Sequence, residues 1–93
     1  MQVDVSCTAE GDGHRCRVEV SDARSTTNHL VRVSRADLAI WGRGRPVEQL
    51  VRDSFAFLLQ REPKESILAE FDLSVITRYF PGFDGGYGKI PDL

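Results

Sequence analysis

Ninety-three residues leave room for one domain with one modest core. With 41% hydrophobic and 28% charged residues the chain reads as a globular domain rather than a disordered one, and no run of about 18 apolar residues offers a membrane span. A formal charge of −2 weighs against a protein that coats nucleic acid. No basic segment followed by an apolar core opens the chain, so a cytoplasmic protein is expected. Cys7 and Cys16 are too few for a disulfide scaffold. Even with His14 and His29 they lack the close ligand pairs of a zinc site, so neither metal nor cofactor is expected.

Residues 2–22 alternate with period two. Val3, Val5, Cys7 and Ala9 share one face of a first strand, and Cys16, Val18 and Val20 share one face of a second. Between them Glu10-Gly11-Asp12-Gly13-His14 signals a hairpin. A turn centred on Gly11-Asp12 sets Asp4 opposite Glu19, an unfavourable pairing of like charges. A turn centred on Asp12-Gly13 has the favoured type I′ pair and sets Glu10 opposite Arg15 and Thr8 opposite Arg17. The second register is expected. It puts Cys7 opposite Val18 and Cys16 opposite Ala9, a diagonal too long to bridge, so both thiols are expected to be reduced, buried and inert.

A polar loop over residues 21–27 leads to a third strand over residues 28–33. Val31 and Val33 face the core there, with His29 beside them as a satisfied or rim histidine, and Asn28, Leu30 and Arg32 face outward. Ser34 to Asp37 fits a capping box, with Val33 and Leu38 at the staple positions. A short helix then ends at Gly42, and a basic loop over residues 42–45 follows. Pro46 and Pro63 bracket a long helix. Its apolar arc of Val47, Leu50, Val51, Phe55, Phe57, Leu58 and Leu59 is too wide for one cover. Sheet is expected on one side and C-terminal helices on the other, with Phe57 and Leu58 in the core between them. Residues 65–71 read as a short helix with Ile67, Leu68 and Phe71 inward, and Asp72 as the N-cap of another that Pro81 stops. The fold expected is α+β: a three-stranded antiparallel β-meander, a short helix, one long helix and two short C-terminal helices. Residues 1–81 form the domain, and residues 82–93, rich in glycine, a loosely held tail.

No nucleophile elbow, zinc-protease helix, P-loop or dinucleotide-binding glycine run is present. The acidic set Glu62, Glu65, Glu70 and Asp72 reads as a solvated face. The order of third strand, short helix, loop and long helix resembles the ribbon-helix-helix proteins. In such proteins outward side chains of paired strands read DNA, here Asn28, Leu30 and Arg32. The likeness is topological and covers about a third of the chain. A more specific resemblance lies in residues 54–81, SFAFLLQREPKESILAEFDLSVITRYFP. They resemble the C-terminal half of a family of small uncharacterised bacterial proteins with the pattern SFxFLLxREPxxSILxxFDLxxIxxYFP. That pattern consists of core and cap residues and implies no activity.

The function expected is that of a small accessory or protein-interaction module without catalysis. A nucleic-acid-binding regulator of ribbon-helix-helix or antitoxin type is the alternative, and a small enzyme comes third. Trp, Tyr and Arg are enriched at binding hot spots. Trp41, Arg43, Arg45, Tyr79, Phe83 and Tyr87 gather in or beside segments outside the long helix, and a contact surface is expected there for an unidentified protein or a second copy of this chain.

Overall fold

The computed structural model describes residues 1–86. Strands β1 (Gln2–Glu10), β2 (Gly13–Ser21) and β3 (Thr26–Val33) form the antiparallel meander. Helix α1 (Arg35–Trp41) and helix α2 (Val47–Leu59) follow, and then a 3₁₀ turn at Lys64–Ser66. A three-residue strand β4 (Glu70–Asp72), a second 3₁₀ turn at Leu73–Val75 and helix α3 (Ile76–Tyr79) complete the fold. The α+β class and the order of meander, short helix, long helix and short C-terminal helices are as the sequence leads one to expect.

Period two decides the faces of the sheet. Val3, Val5 and Cys7 of β1, Cys16, Val18 and Val20 of β2, and His29, Val31 and Val33 of β3 all point to the side that α2 covers. Pro46 is the N-cap of α2, and its carbonyl accepts from the amides of Gln49 and Leu50. The wide apolar arc of α2 meets two layers. Phe55 lies against His29 and Phe71 on the sheet side, and Phe57 against Phe80 and Phe83 on the other. Ser34 caps α1 as expected, its hydroxyl accepting from the Asp37 amide at 3.0 Å.

The hairpin takes the other register. The turn residues are Gly11 and Asp12, and Glu10 pairs with Gly13. Gly11 occupies the left-handed region at φ 62°, while Asp12 does not. Glycine at the first central position is the signature of a type II′ turn, which spares Asp12 the positive φ that type I′ demands. Gly13 has a further role. A Cβ built on it would stand 2.6 Å from the Val33 carbonyl oxygen, so the close approach of β2 to the end of β3 needs a glycine there. The cost is Asp4 opposite Glu19 on the solvent face, a few tenths of a kcal/mol to about 1.

That register also overturns the expected thiols. Cys7 sits directly opposite Cys16, and the two form a disulfide with their Cα atoms 4.0 Å apart. Cys16 is buried and Cys7 half-buried on the core face.

The segment expected as a helix over residues 65–71 is short 3₁₀ structure followed by β4. Ile67, Leu68 and Phe71 have helical spacing, but β3 would otherwise leave an open edge, and β4 pairs with it in parallel. The Leu30 amide donates to the Ala69 carbonyl at 2.7 Å. Arg32 ties the solvent side of this pairing, donating to Asp72 at 2.8 Å and Glu70 at 2.6 Å. Long-range pairing overrides a local helical pattern here.

Candidate functional site

The contact residues expected from the sequence do not stay together at the surface. Trp41 packs on Phe83 with ring centroids 5.4 Å apart, and Phe83, expected in a loose tail, is only 5% exposed. Arg45 is turned inward. Its Nη1 donates to Asp53 at 2.6 Å, its Nε to the Gly42 carbonyl at 2.9 Å, and its Nη2 to the carbonyls of Trp41 at 2.7 Å and Gly85 at 3.2 Å. Gln49 holds the other Asp53 oxygen at 2.8 Å. The chain reaches this arrangement through Arg43, which takes a left-handed φ of 52° and is exposed. Arg45 thus joins the end of α1, the flank of α2 and the C-terminal turn. Its sequence signal was faint: an arginine beside the helix-starting proline and an acid two turns on. Tyr79 is 65% exposed. Tyr87 lies outside the described residues.

Tyr79 belongs instead to an apolar groove of about 210 Å³ between the end of α2 and the C-terminal turns. Leu58, Ile67, Phe71, Val75, Ile76 and Phe80 line it, and Leu68, Glu62 and Ser66 complete the wall with Tyr79. Leu68, expected inward, is 47% exposed, because β4 follows it where a helix was expected. A wider cleft of about 330 Å³ at the hairpin end is lined by Glu10, Asp12, Asp37 and Asp72, with His14 and Arg32. Two of its carboxylates are already engaged, Glu10 near Arg15 and Asp72 on Arg32.

His29 and Lys64, two groups suited to chemistry, have structural tasks. His29 is buried, with Nδ1 2.7 Å from the Leu68 carbonyl and Nε2 2.8 Å from the Thr27 hydroxyl. A carbonyl oxygen only accepts, so Nδ1 carries a proton there, and in the neutral ring Nε2 accepts from Thr27. Among the described residues, no group of three or more His, Cys, Asp or Glu side chains is placed to hold a metal ion. No helix among them is long and apolar enough to cross a membrane.

Lys64 is 4% exposed and donates to Asp22 at 2.8 Å and Glu65 at 2.7 Å, joining the β2–β3 loop to the corner after α2. Asp22 also accepts from the amides of Arg24 and Ser25. The Lys64 ammonium, followed by those two amides, holds the Asp22 carboxyl far below its ordinary value of 3.8. Lys64 likewise draws Glu65 down, while Asp22 and Glu65 raise Lys64. A carboxylate with a depressed folded value stabilises the fold above its unfolded value and loses that contribution as the pH falls through the folded one. Asp22→Asn is therefore expected to lower the denaturation midpoint at neutral pH. The gap to the parent should close progressively as the pH is taken below about 3.8. Urea titrations across that range check this, and a gap constant with pH would show that the ionic contact adds nothing.

No family model matches the chain, and neither a curated protein nor a solved structure matches it.

Proposed function

We propose that this chain is a small protein-interaction module without chemistry of its own, with Leu68 and Tyr79 at the centre of its contact surface. The observation that supports this reading most is a contrast. His29, Lys64 and Arg45 are held in structural bonds, while Leu68 and Tyr79 expose apolar surface around a groove. Apolar and aromatic anchors entering such pockets dominate protein–protein contacts. With Glu62 on its wall, the groove suits an apolar anchor followed by a basic residue. Of the residues expected at the contact surface, Arg43 and Tyr79 are exposed; Trp41, Arg45 and Phe83 act from beneath by holding the segments in place.

The resemblance of residues 54–81 to the family of small bacterial proteins is compatible with this reading, since its pattern takes in buried positions such as Phe55, Phe57, Leu58 and Phe71 together with the exposed Leu68 and Tyr79. The nucleic-acid alternative is weaker. Strand β3, which a ribbon-helix-helix protein would pair with a second copy, already has a neighbour on each edge, and Arg32 is occupied by Glu70 and Asp72. The cytoplasmic location suggested by the sequence and the Cys7–Cys16 bond pull in different directions, because disulfides persist in oxidising compartments and are rare in the cytosol.

The test is affinity capture from an extract of the source cells with the parent and with a Leu68→Ser, Tyr79→Ser double variant. Both side chains are exposed, so the variant is expected to stay folded, as circular dichroism would report. A partner captured by the parent and lost by the variant supports the reading. A parent that retains nothing above the variant's background overturns it.

A further inference from the structure

Strand β1 is the outer strand of the sheet, nine residues long and without a bulge in its pairing to β2. Its outer edge has no backbone partner among the described residues. Edges of this kind are ordinarily guarded by lysine, proline, a bulge or a covering loop. Gln2–Glu10 contains no lysine, arginine or proline.

The hydrogen-bonding phase of β1 can be read from the hairpin. Glu10 and Gly13 close a two-residue turn and so form a hydrogen-bonded pair. Alternation then makes Cys7 and Cys16 a non-hydrogen-bonded pair, in accord with their 4.0 Å Cα separation. The even-numbered residues of β1 therefore bond to β2, and Val3, Val5, Cys7 and Ala9 direct their amides and carbonyls to the open edge. The same residues carry the core-facing side chains, of which Val3, Val5 and Cys7 are only half-buried.

We propose that two copies of this chain join through β1, antiparallel about a two-fold axis at Ser6, so that their four-stranded sheets continue as one. This names a partner within the interaction-module reading and rests on that reading. Phase and charge together select the register. An antiparallel partner must set odd residues opposite odd residues to satisfy the open edge. Centring on Cys7 sets Asp4 against Glu10, like charges on the close, non-hydrogen-bonded pairs. Centring on Asp4 opposes Asp4 to itself. Centring on Val5 leaves Glu10 outside the ladder. Centring on Ser6 pairs all nine residues: Val3 with Ala9 and Val5 with Cys7 on the core face, and Gln2 with Glu10 and Asp4 with Thr8 on the other. A carboxylate then meets a hydrogen-bond donor at Gln2–Glu10 and at Asp4–Thr8, and Ser6 meets its own copy on the axis. The half-exposed valines meet apolar side chains.

Two variants and one direct readout test this. Ser6 is exposed on the face away from α2, so Ser6→Lys spares the core. The new ammonium meets Arg17 across the hairpin at the surface, a contact whose effect on folding circular dichroism reports, and it opposes a second ammonium across the axis. In Val5→Pro the lost amide is one that β2 does not use, a position where an edge strand tolerates proline. Light scattering from micromolar to millimolar concentration is expected to give twice the chain mass for the parent and the single-chain mass for both variants. Amide exchange in the parent is expected to slow at Val3, Val5, Cys7 and Ala9 as concentration rises, and not in Ser6→Lys. A parent that stays at single-chain mass with fast exchange at those four amides overturns the proposal. So does a dimer that both variants leave intact. Dimer formation with failed capture in the Leu68/Tyr79 experiment would remove only the groove as contact surface, and capture without dimer formation would remove only this inference.

Discussion

Phe55→Ala is expected to cost about 3–5 kcal/mol, the usual range for deleting a fully buried phenylalanine. The ring is 0% exposed. It stands where α2 crosses onto β3 and β4, 5.3 Å from the His29 ring and 6.1 Å from Phe71 by centroid. Truncation removes apolar contact and leaves a void. Neither neighbour is free to fill it, since His29 is held by Thr27 and Leu68 and Phe71 sits in a paired strand. A domain of this size has about 5–15 kcal/mol of stability in all, so the variant should lie close to unfolding at room temperature. Urea denaturation followed by circular dichroism checks this. A loss below about 1 kcal/mol would mean that the α2–sheet seam repacks around the missing ring. Phe57, 6% exposed, contacts Phe80 and Phe83 and lies 3.6 Å beneath the Arg61 guanidinium. Its loss should instead release the C-terminal segment first, so Phe57→Ala is the milder change.

The contrast between those two phenylalanines was legible in outline. An apolar arc as wide as that of α2 requires a cover on each side, and Pro46 and Pro63 bracket the helix whatever it packs on. The strand faces were legible for a comparable reason: period two assigns each side chain to a face before any partner is known. What failed depended on choices between nearly equal energies. Either turn centre suits Glu10 to His14, and the pairing that disfavours the true one, Asp4 opposite Glu19, costs less than about 1 kcal/mol. Moving the turn centre by one residue shifts every pairing by two, which sets Cys7 opposite Val18 instead of Cys16 and hides the disulfide. Strand β4 is three residues long, too short for an alternating pattern to compete with the helical spacing of Ile67, Leu68 and Phe71. For the contact surface, residue type indicated where arginines and aromatics gather but not which way they face. Tyr79 turns out and Phe83 turns in. Arg45 turns in as well, because three backbone carbonyls and Asp53 converge on it.

The disulfide supports the second large expectation. Reducing Cys7–Cys16, or replacing both by serine, should lower stability by about 2–3 kcal/mol, the value chain-entropy bookkeeping gives for so short a closed loop. The sequence separation is 9 residues, wholly within the β1–β2 hairpin, so the bond restrains the unfolded chain locally. In the folded state it fastens β1 to β2 on the core face, beneath α2 and midway along the strand. Apart from that bond, β1 is held by one ladder and the half-buried faces of Val3 and Val5. Its loss should therefore appear first as faster amide exchange along β1, with β3 and β4 retained until global unfolding. Urea midpoints of oxidised and reduced protein, with exchange followed residue by residue, measure both effects. Midpoints that coincide within about 0.5 kcal/mol would show that β1 is held by its ladder and core face alone. Reduction would then have no route to the outer edge of the sheet.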